Sequence, residues 1–510
     1  MGRELGQRAG SHPVLPATPS GPQLAACAYR GTVEPWNRTR GARARVAFPW
    51  AASGAKPVCG WLESWPAAPR EAIRPVQLVW PLEIPVVGMI RCILMGWLPA
   101  ALLAAVAGEV PGTVICHSPL ASGRYIGSPS LTVLPNGELI ASHDFFGPKS
   151  NERTCGISRV YASRDGGAAW ELRSEVDRAS HSRVFEHNGD LYLFAGKCYR
   201  KSRFRHMPGT LRSALLTVGY KDNPPNQLLI RRSSDGGRTW TSPTDSTHGL
   251  LKTGRGGGAP TPPVRFANKL WLAAGALCSV DQTADLLDAA SWSYQPKPRF
   301  RKDEWLGGKA EGYFEGGAVI TPKGEPAIIS KVRYFVPGED RAALVTFGSR
   351  QGAGSFDPEQ DFIPMPGARL KFSVRHDPVS RRYWSLTSYL PEEDYGTRTD
   401  LRRNTIALVS SPDLRTWTVQ CILLHHPDTD KHGLQYLDFL FAGPDLIAVC
   451  RTAWPDGAGG PKRQHDANYL TFHRWRDFRK LTLSDSCLEA RARLSKTLAK
   501  LRQQGAQSDP

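Results

Sequence analysis

An eight-residue pattern, S-x-D-G-G-x-x-W, occurs twice in this chain and limits the folds that it can adopt. The copies span residues 163–170 and 233–240, and each follows a strand-like run, at 157–162 and 227–231. An aspartate in such a turn can accept hydrogen bonds from nearby backbone N–H groups, and paired glycines permit positive φ. The tryptophan supplies an apolar plate that covers the base of the hairpin. The pattern therefore predicts two β-hairpins with the same tight turn, which is a structural device and carries no catalytic group.

Six hairpin units follow one another from residue 128 onward, each with a strand, a short turn, a second strand and an outer hairpin. Gly, Asn and Pro in the inner turns favour such hairpins. These inner turns fall at 135–137, 187–189, 267–268, 322–324, 377–378 and 442–444. Weaker aspartate turns occur at 288–292 and 411–417. The repetition predicts an all-β fold, a six-bladed β-propeller over residues 112–478. A two-sheet sandwich does not account for six similar units.

Closure of the ring is predicted between the two ends of the propeller. Residues 112–117 are expected to pair beside residues 468–475, which removes the free sheet edges. The tail at 479–510 has a different pattern, because Leu488, Leu494, Leu498 and Leu501 recur at near-helical spacing. We expect a short amphipathic helix, packed on the flank of the propeller, in this helical or disordered tail.

The N-terminal 107 residues read as two segments outside the propeller. Residues 1–88 are rich in Ala, Pro, Gly and Arg and contain no Asp, which predicts a disordered extension or a start assigned too far upstream. Residues 89–107 resemble a signal peptide, with Arg91, an apolar run at 92–106 and an Ala-Val-Ala cleavage site at 105–107. We therefore expect export, to the periplasm or outside the cell, and no stable membrane span after cleavage.

The charge and the cysteine content limit the kinds of partner and cofactor that the chain can be expected to bind. The net charge of +18 is spread along the chain, so nucleic acid is not the expected partner. The densest basic stretch, at 197–205, is expected to be a solvated loop that can also attract an acidic glycan. Seven widely spaced cysteines follow residue 108 and form no zinc pattern, and no nucleotide or metalloprotease motif occurs. We expect neither a metal nor another cofactor.

The aspartate turns and the six units resemble the Asp-box β-propellers of the sialidase family over about residues 112–478. In that family the first blade opens with an Arg-Ile-Pro-Ser-Leu type motif, whose Arg helps to bind the substrate carboxylate. Here residues 127–131 read Gly-Ser-Pro-Ser-Leu, so the Pro-Ser-Leu is kept and the Arg is absent.

Two further stretches are similar to the catalytic segments of the family. Residues 315–324 resemble its Glu-containing strand, turn and strand, and residues 434–438 resemble the segment with its catalytic Tyr. The resemblance implies that Tyr436 is the nucleophile and Glu315 its base. A neutral Tyr suits a sugar with a carboxylate at the anomeric carbon, because that anion would repel a carboxylate nucleophile. The alternative is a core aromatic residue and a satisfied inner-strand carboxylate.

The other candidate site residues come from the loop that leaves the first blade and from cations on inner strands. Asp144 or Glu152 is the expected acid/base residue, with His143 as an alternative proton carrier. Lys331 or Arg333 stands where the family has a carboxylate-binding Arg, and Lys would bind as a point charge. The remaining candidates for binding an acidic substrate are Arg183, Arg375, Arg451, Asp438, His465 and Asp466.

These features predict an exported sialidase-like glycoside hydrolase, exo-acting and retaining, on an acidic sugar. A propeller that binds a glycan or a protein without chemistry is the main alternative, because the fold supports both roles. An enzyme that acts on another acidic glycan, such as a uronic-acid polymer, is the third interpretation.

Overall fold

The computed structural model describes residues 109–150, 156–199, 226–253, 261–348, 352–396 and 399–508. The predicted extension, the predicted signal peptide and Glu152 lie outside the described residues. Five cysteines are free thiols in the described part, namely Cys116, Cys278, Cys421, Cys450 and Cys487. No helix among the described residues is long and apolar enough to cross a membrane.

The described strands form six antiparallel sheets, as predicted for a six-bladed propeller. The closing strand β1 (Thr113–His117) precedes the first blade, which contains β2 (Tyr125–Ile126), β3 (Ser130–Val133), β4 (Leu139–Phe146), β5 (Ile157–Ser163) and β6 (Glu171–Asp177). The second blade contains β7 (Ser182–His187), β8 (Asp190–Tyr199), β9 (Asn226–Ser233) and β10 (Leu250–Thr253). The third contains β11 (Val264–Phe266), β12 (Lys269–Ala273), β13 (Ala276–Asp281) and β14 (Trp292–Pro296).

The other three blades complete the ring. The fourth contains β15 (Tyr313–Ile320), β16 (Pro326–Val332), β17 (Arg341–Thr346) and β18 (Phe362–Pro364). The fifth contains β19 (Val374–Asp377), β20 (Arg382–Ser388), β21 (Thr405–Ser411) and β22 (Thr418–His425). The sixth contains β23 (Gly433–Ala442), β24 (Asp445–Ala453) and β25 (Tyr469–Trp475). Short 3₁₀ turns lie at Leu120–Ser122, Ala289–Ser291, Trp305–Gly308, Glu392–Asp394, Thr399–Leu401, Phe478–Lys480 and Leu483–Asp485.

The ring closes where it was predicted to close. Strand β1 pairs antiparallel with β25, with Thr113 opposite Phe472 and His117 opposite Tyr469. The sixth blade therefore takes its outermost strand from the start of the propeller, and β25 is paired on both sides.

The innermost strands of adjacent blades meet around the central channel, as β3 meets β7 and β15 meets β19. We call the end of the channel where these strands begin the upper end, and the end at their inner turns the lower end. All six inner turns lie where the sequence predicts them. At 187–189, Asn188 and Gly189 have φ of 52° and 87°, a conformation that these two residue types tolerate best.

Both aspartate turns have the predicted hydrogen bonds. Asp165 Oδ1 accepts from the backbone N–H groups of Ala168 and Ala169 at 3.0 Å each. Asp235 Oδ1 accepts likewise from Arg238 at 2.9 Å and from Thr239 at 3.0 Å. The side chain of Trp170 also packs on Phe472 of the sixth blade, at 5.5 Å between ring centroids. The first turn therefore stabilises a contact between blades as well as its own hairpin.

The tail forms two helices on the flank of the propeller, α1 (Leu488–Arg493) and α2 (Ser495–Ser508). Leu494, Leu498 and Leu501 are buried in one cluster with residues of the fourth and fifth blades, as the packed-helix interpretation predicts. Leu488 was wrongly included in that stripe, because its side chain is 70% exposed. The break between α1 and α2 shifts the helical phase, and Ala490 is the residue of α1 that becomes buried.

Candidate active site

Tyr436 and Glu315 lie together at the upper end of the channel. The Tyr436 hydroxyl is 3.4 Å from Glu315 Oε1 and 3.3 Å from Oε2, within hydrogen-bonding distance. Tyr436 lies near the start of β23 and Glu315 near the start of β15, so two blades each supply one member of the pair. Both side chains reach the channel because innermost strands converge on the propeller axis.

The backbone is strained at both residues. Glu315 has φ of 47° and Tyr436 has φ of 58°, a left-handed conformation that side chains other than glycine disfavour. Each lies in a register shift of its strand pair, between Phe314 and Gly317 and between Gln435 and Asp438. Such bulges redirect side chains, and local strain of this kind clusters at functional sites.

Glu315 is paired with a lysine from the neighbouring strand. Lys331 on β16 forms a close ion pair with Glu315 Oε2. Burial raises the pKa of Glu315, but Lys331 and Lys371 outweigh it and lower this pKa to about 2. Glu315 is therefore anionic throughout the neutral range. Of the two predicted counter-charges, Lys331 contacts Glu315, whereas the half-exposed Arg333 pairs with Glu311 at 3.0 Å.

Three cations surround the Tyr436 ring. The Lys331 and Lys371 ammonium groups lie 5.9 and 5.7 Å from its centroid, and the Arg451 guanidinium lies 5.0 Å away. Lys371 is buried, and this burial, with repulsion from Arg183, lowers its pKa to about 7. The sequence reasoning missed Lys371. Lys371 lies just before the innermost strand of the fifth blade. Because the starts of the innermost strands converge on the channel, this position was the signal that could have placed Lys371 in the site.

Arg451 continues the site toward the loop at 454–464. Its guanidinium lies 4.3 Å from the Phe146 ring, and Phe146 packs edge-on against His465 at 5.1 Å. His465 Nδ1 lies 2.9 Å from Asp466 Oδ1. Burial lowers the pKa of His465 to about 4, so this ring is neutral at pH 7. The structure thus brings Arg451, His465 and Asp466 to the Tyr436 side of the channel.

Arg403 is a further buried cation that the sequence reasoning missed. Its Nη1 donates to Gln435 Oε1 at 2.6 Å, next to Tyr436 in the chain. Gln435 in turn donates from Nε2 to the Gln464 carbonyl at 2.6 Å. Arg403 therefore supports the strand start that carries Tyr436.

Asp144 occupies a different environment from the one expected for an acid/base residue. Its carboxylate accepts from the backbone N–H groups of Ser128 and His181, the latter at 2.7 Å, and from Ser180 Oγ at 3.3 Å. Burial opposes ionisation, but the contacts with His181 and these backbone donors outweigh it and lower the pKa of Asp144. This carboxylate joins the first and second blades and is a poor proton donor. His143 is wholly buried against Tyr161, at 3.3 Å between Nε2 and the hydroxyl, so the prediction of a proton carrier there is wrong.

His181 is the titratable group that the sequence reasoning overlooked at this end. It follows Ser180 in the connection that enters β7, with φ of 51°. About a quarter of its side chain is exposed, and its Nδ1 lies 3.9 Å from Asp144 Oδ2. Its charge also lowers the pKa of Glu315, so it acts on both carboxylates.

Three of the predicted binding residues lie inside the channel, below its upper end. Asp438 is fully buried and forms ion pairs with Arg183 of the second blade and with Arg375 of the fifth. Its Oδ2 also accepts from the backbone N–H of Leu131 in the first blade, at 2.8 Å. We call Asp438, Arg183 and Arg375 the mid-channel belt. Their assignment as substrate-binding residues of this site is corrected, because together with Leu131 they join four blades in the interior.

The described residues hold no cluster of three or more His, Cys, Asp and Glu side chains that would suit a metal ion. At the upper end of the channel a phenol, a carboxylate and several cations lie together. This arrangement can bind an anion and stabilise negative charge on the Tyr436 oxygen.

Solved structures similar to this chain include several β-propeller glycosidases. A leech intramolecular trans-sialidase is 14% identical, over 75% of this chain and 72% of that one, with a TM-score of 0.46. An α-L-arabinofuranosidase of Fusarium graminearum is 13% identical, over 73% and 99%, with a TM-score of 0.46. An α-L-arabinanase of Penicillium chrysogenum is 13% identical, over 73% and 99%, with a TM-score of 0.43. No protein-family model and no curated protein matches the chain.

Proposed function

We propose that this protein is a retaining glycoside hydrolase that acts on an anionic sugar. The observation that carries the proposal is the Tyr436–Glu315 pair, whose hydroxyl and carboxylate lie 3.3 Å apart inside a group of three cations. A phenol beside a carboxylate suits nucleophilic attack, and the surrounding positive charge suits an anionic substrate.

In the first step, the Tyr436 oxygen attacks the anomeric carbon while the leaving-group oxygen departs and takes up a proton from a general acid. The phenolic proton passes to Glu315. Because the pKa of Glu315 is about 2, this carboxylate is a weak base. Lys331, Lys371 and Arg451 compensate, since they stabilise the negative charge that develops on the Tyr436 oxygen. Water then cleaves the glycosyl–tyrosine bond: the same acid/base residue accepts a proton from the water, and Glu315 returns its proton to the departing Tyr436 oxygen.

We assign the acid/base role to His181. Asp144 accepts three hydrogen bonds and is held as an anion, whereas His181 is partly exposed beside it. An imidazole can both donate and accept a proton near neutral pH, as the two steps require. Glu152, outside the described residues, is the other candidate, and comparing His181→Gln with Glu152→Gln tests the assignment.

The three cations can bind a carboxylate on the substrate, but they do not form a cluster of arginines. Lys331 and Lys371 are point charges, and Arg451 alone of the three offers a planar fork. We therefore infer that the substrate is an acidic sugar in general, with uronides and sialosides both included. Export to the periplasm or outside the cell, as residues 91–107 suggest, would place the protein where such glycans occur.

A second candidate function is binding of an anionic glycan without turnover. The ion pair of Glu315 with Lys331 favours it, because a carboxylate held in this way accepts a proton poorly. The experiment that separates the two is product release from sialosides, uronides and neutral glycosides, measured beside binding of the same compounds. Release that disappears in Tyr436→Phe supports the hydrolase. Binding to the wild type with no release from any compound supports the binding protein.

A further inference from the structure

A cavity of about 730 Å³ opens at the lower end of the channel, away from Tyr436. The ends of β15 and β23 line it through Ile320 and Phe441. Tyr436 and Phe441 are five positions apart on β23, which corresponds to about 16 Å at about 3.3 Å per residue. The mid-channel belt lies between the two ends, so this cavity is separate from the candidate active site.

The walls of the cavity are mainly apolar. Phe266, Leu440 and Phe441 contribute to them, and the Phe266 side chain is 37% exposed. Tyr383 is fixed in the wall, because its hydroxyl donates to the Ile320 carbonyl at 2.7 Å. The volume is within the range of small-molecule sites, and rigid apolar walls are typical of such sites.

Arg375 supplies positive charge to this apolar cavity. About one fifth of its side chain is exposed, and it is one of the lining residues. Its contact with Asp438 is long, at 3.4 Å, and Asp438 is shared with Arg183. Within the described part of the chain, the Arg375 Nε has no hydrogen-bond acceptor. The Arg375 guanidinium is therefore only partly compensated.

Of the two arginines that line the cavity, Arg375 is the one whose charge is less fully paired. Arg265 is already engaged, since its Nη2 donates to the Glu186 carbonyl at 2.7 Å and pairs with its carboxylate at 3.2 Å. The His376 ring packs at a tilt against Tyr383, at 4.9 Å between ring centroids. Among the described residues that line the cavity, none is Asp or Glu. An anion that enters would therefore meet attraction and no opposing carboxylate in the wall.

We propose that this lower cavity binds a small carboxylate with an aromatic or branched aliphatic body. The carboxylate pairs with Arg375, and the body packs between Phe266 and Phe441. A charge-assisted hydrogen bond to a partly buried guanidinium supplies orientation, and burial of the apolar body supplies most of the affinity. A sugar does not suit this cavity, because its hydroxyl groups would lack partners along the apolar walls. The proposal is independent of any hydrolytic activity at the upper end.

Calorimetry on the full chain tests the proposal with 4-phenylbutyrate, and with 4-phenylbutanol as its neutral counterpart. We expect the carboxylate to bind at least about tenfold more tightly than the alcohol, as for other hydrogen bonds to charged groups. Arg375→Met should remove this preference, and its Asp438 partner retains Arg183. Phe266→Ala changes an exposed side chain and should weaken binding of both compounds. Lys323→Met is the matched control, because this exposed lysine lies in the inner turn without lining the cavity.

The expected set of results is an affinity for 4-phenylbutyrate that falls to that of the alcohol in Arg375→Met, is weakened in Phe266→Ala and is unchanged in Lys323→Met. No binding of 4-phenylbutyrate to the wild type would overturn the proposal. Equal affinity for the alcohol, or full affinity in Phe266→Ala, would also overturn it. Loss of binding in Lys371→Met, with full binding in Arg375→Met, would assign the compound to the upper end and refute the lower site.

Discussion

The Tyr436 hydroxyl lies 3.3 Å from Glu315 Oε2, although 121 residues separate the two in the chain. Lys331 forms an ion pair with the same carboxylate oxygen. The phenol, carboxylate and ammonium thus form one chain of polar contacts at the upper end of the propeller.

Lys371 should make anion binding depend on pH. Its pKa is lowered to about 7, by burial and by repulsion from Arg183 and Lys331, so its positive charge is lost as pH rises through that value. We expect affinity for an anionic sugar to fall by about tenfold between pH 5.5 and pH 8.5. Lys371→Arg keeps the charge and should flatten the dependence, as measured by calorimetry. A wild-type affinity that rises with pH would contradict this role.

Lys331 should keep Glu315 ionised in acid. With its pKa at about 2, Glu315 does not titrate between pH 4 and pH 9 in the wild type. In Lys331→Met the loss of the ion pair should raise this pKa toward the ordinary value of about 4.3. An additional loss of activity below about pH 5 is then expected in that variant. Lys331→Arg, which keeps the positive charge, is the control and should not show this additional loss of activity. If activity fell identically below pH 5 in the wild type and in Lys331→Met, the ion pair would not set the ionisation of Glu315.

Most of the structural features that the sequence predicts correctly depend on residues close together in the chain. The turn at 187–189 and the Asp165 and Asp235 turns were predictable, because their hydrogen bonds join residues a few positions apart. Closure of β1 on β25 was predictable from the need to cover a sheet edge. These features fix the six-bladed arrangement.

The polar interior was less predictable, because side-chain direction there depends on contacts between blades. Simple alternation along β23 puts Asp438 on the same side as Tyr436. The bulge between Gln435 and Asp438 breaks this alternation, and Asp438 enters the mid-channel belt instead. Lys371 and His181 lie in connections that precede strands, where no periodic pattern indicates which way a side chain points.

The Asp235 turn should contribute to stability without affecting the reaction. Asp235 accepts hydrogen bonds from the Thr239 hydroxyl and from the backbone of Thr239 and Arg238, and these bonds lower its pKa. Asp235→Ala should lower the midpoint of thermal unfolding and leave kcat/KM of the folded protein unchanged. Asp235→Asn keeps one side-chain oxygen and should be the milder change. Asp165→Ala should behave in the same way. Lost turnover at unchanged stability would show that the turn has a role beyond structure.

Within the mid-channel belt, substitution of Asp438 should lower the stability of the protein most. Its removal leaves Arg183 and Arg375 facing each other without the carboxylate that joins them. For Asp438→Asn we expect the free energy of unfolding to fall by about 3–5 kcal/mol, as for other broken buried ion pairs. Arg333→Gln, in a half-exposed pair with Glu311, is the comparison and should change it by less than about 1 kcal/mol. Denaturant unfolding measures both. Equal effects of the two variants would mean that the belt does not hold the blades together.

The role of Tyr436 as a nucleophile is tested most directly by trapping the glycosyl–enzyme intermediate. A fluorinated acidic glycosyl fluoride, which slows the second step more than the first, is incubated with the wild type and with Tyr436→Phe. Mass spectrometry of the intact protein and its peptides then locates any adduct. We predict one glycosyl group on Tyr436 in the wild type and no adduct in Tyr436→Phe, which should lose most activity. Wild-type turnover in Tyr436→Phe, or an adduct on a different residue, would contradict the proposed mechanism.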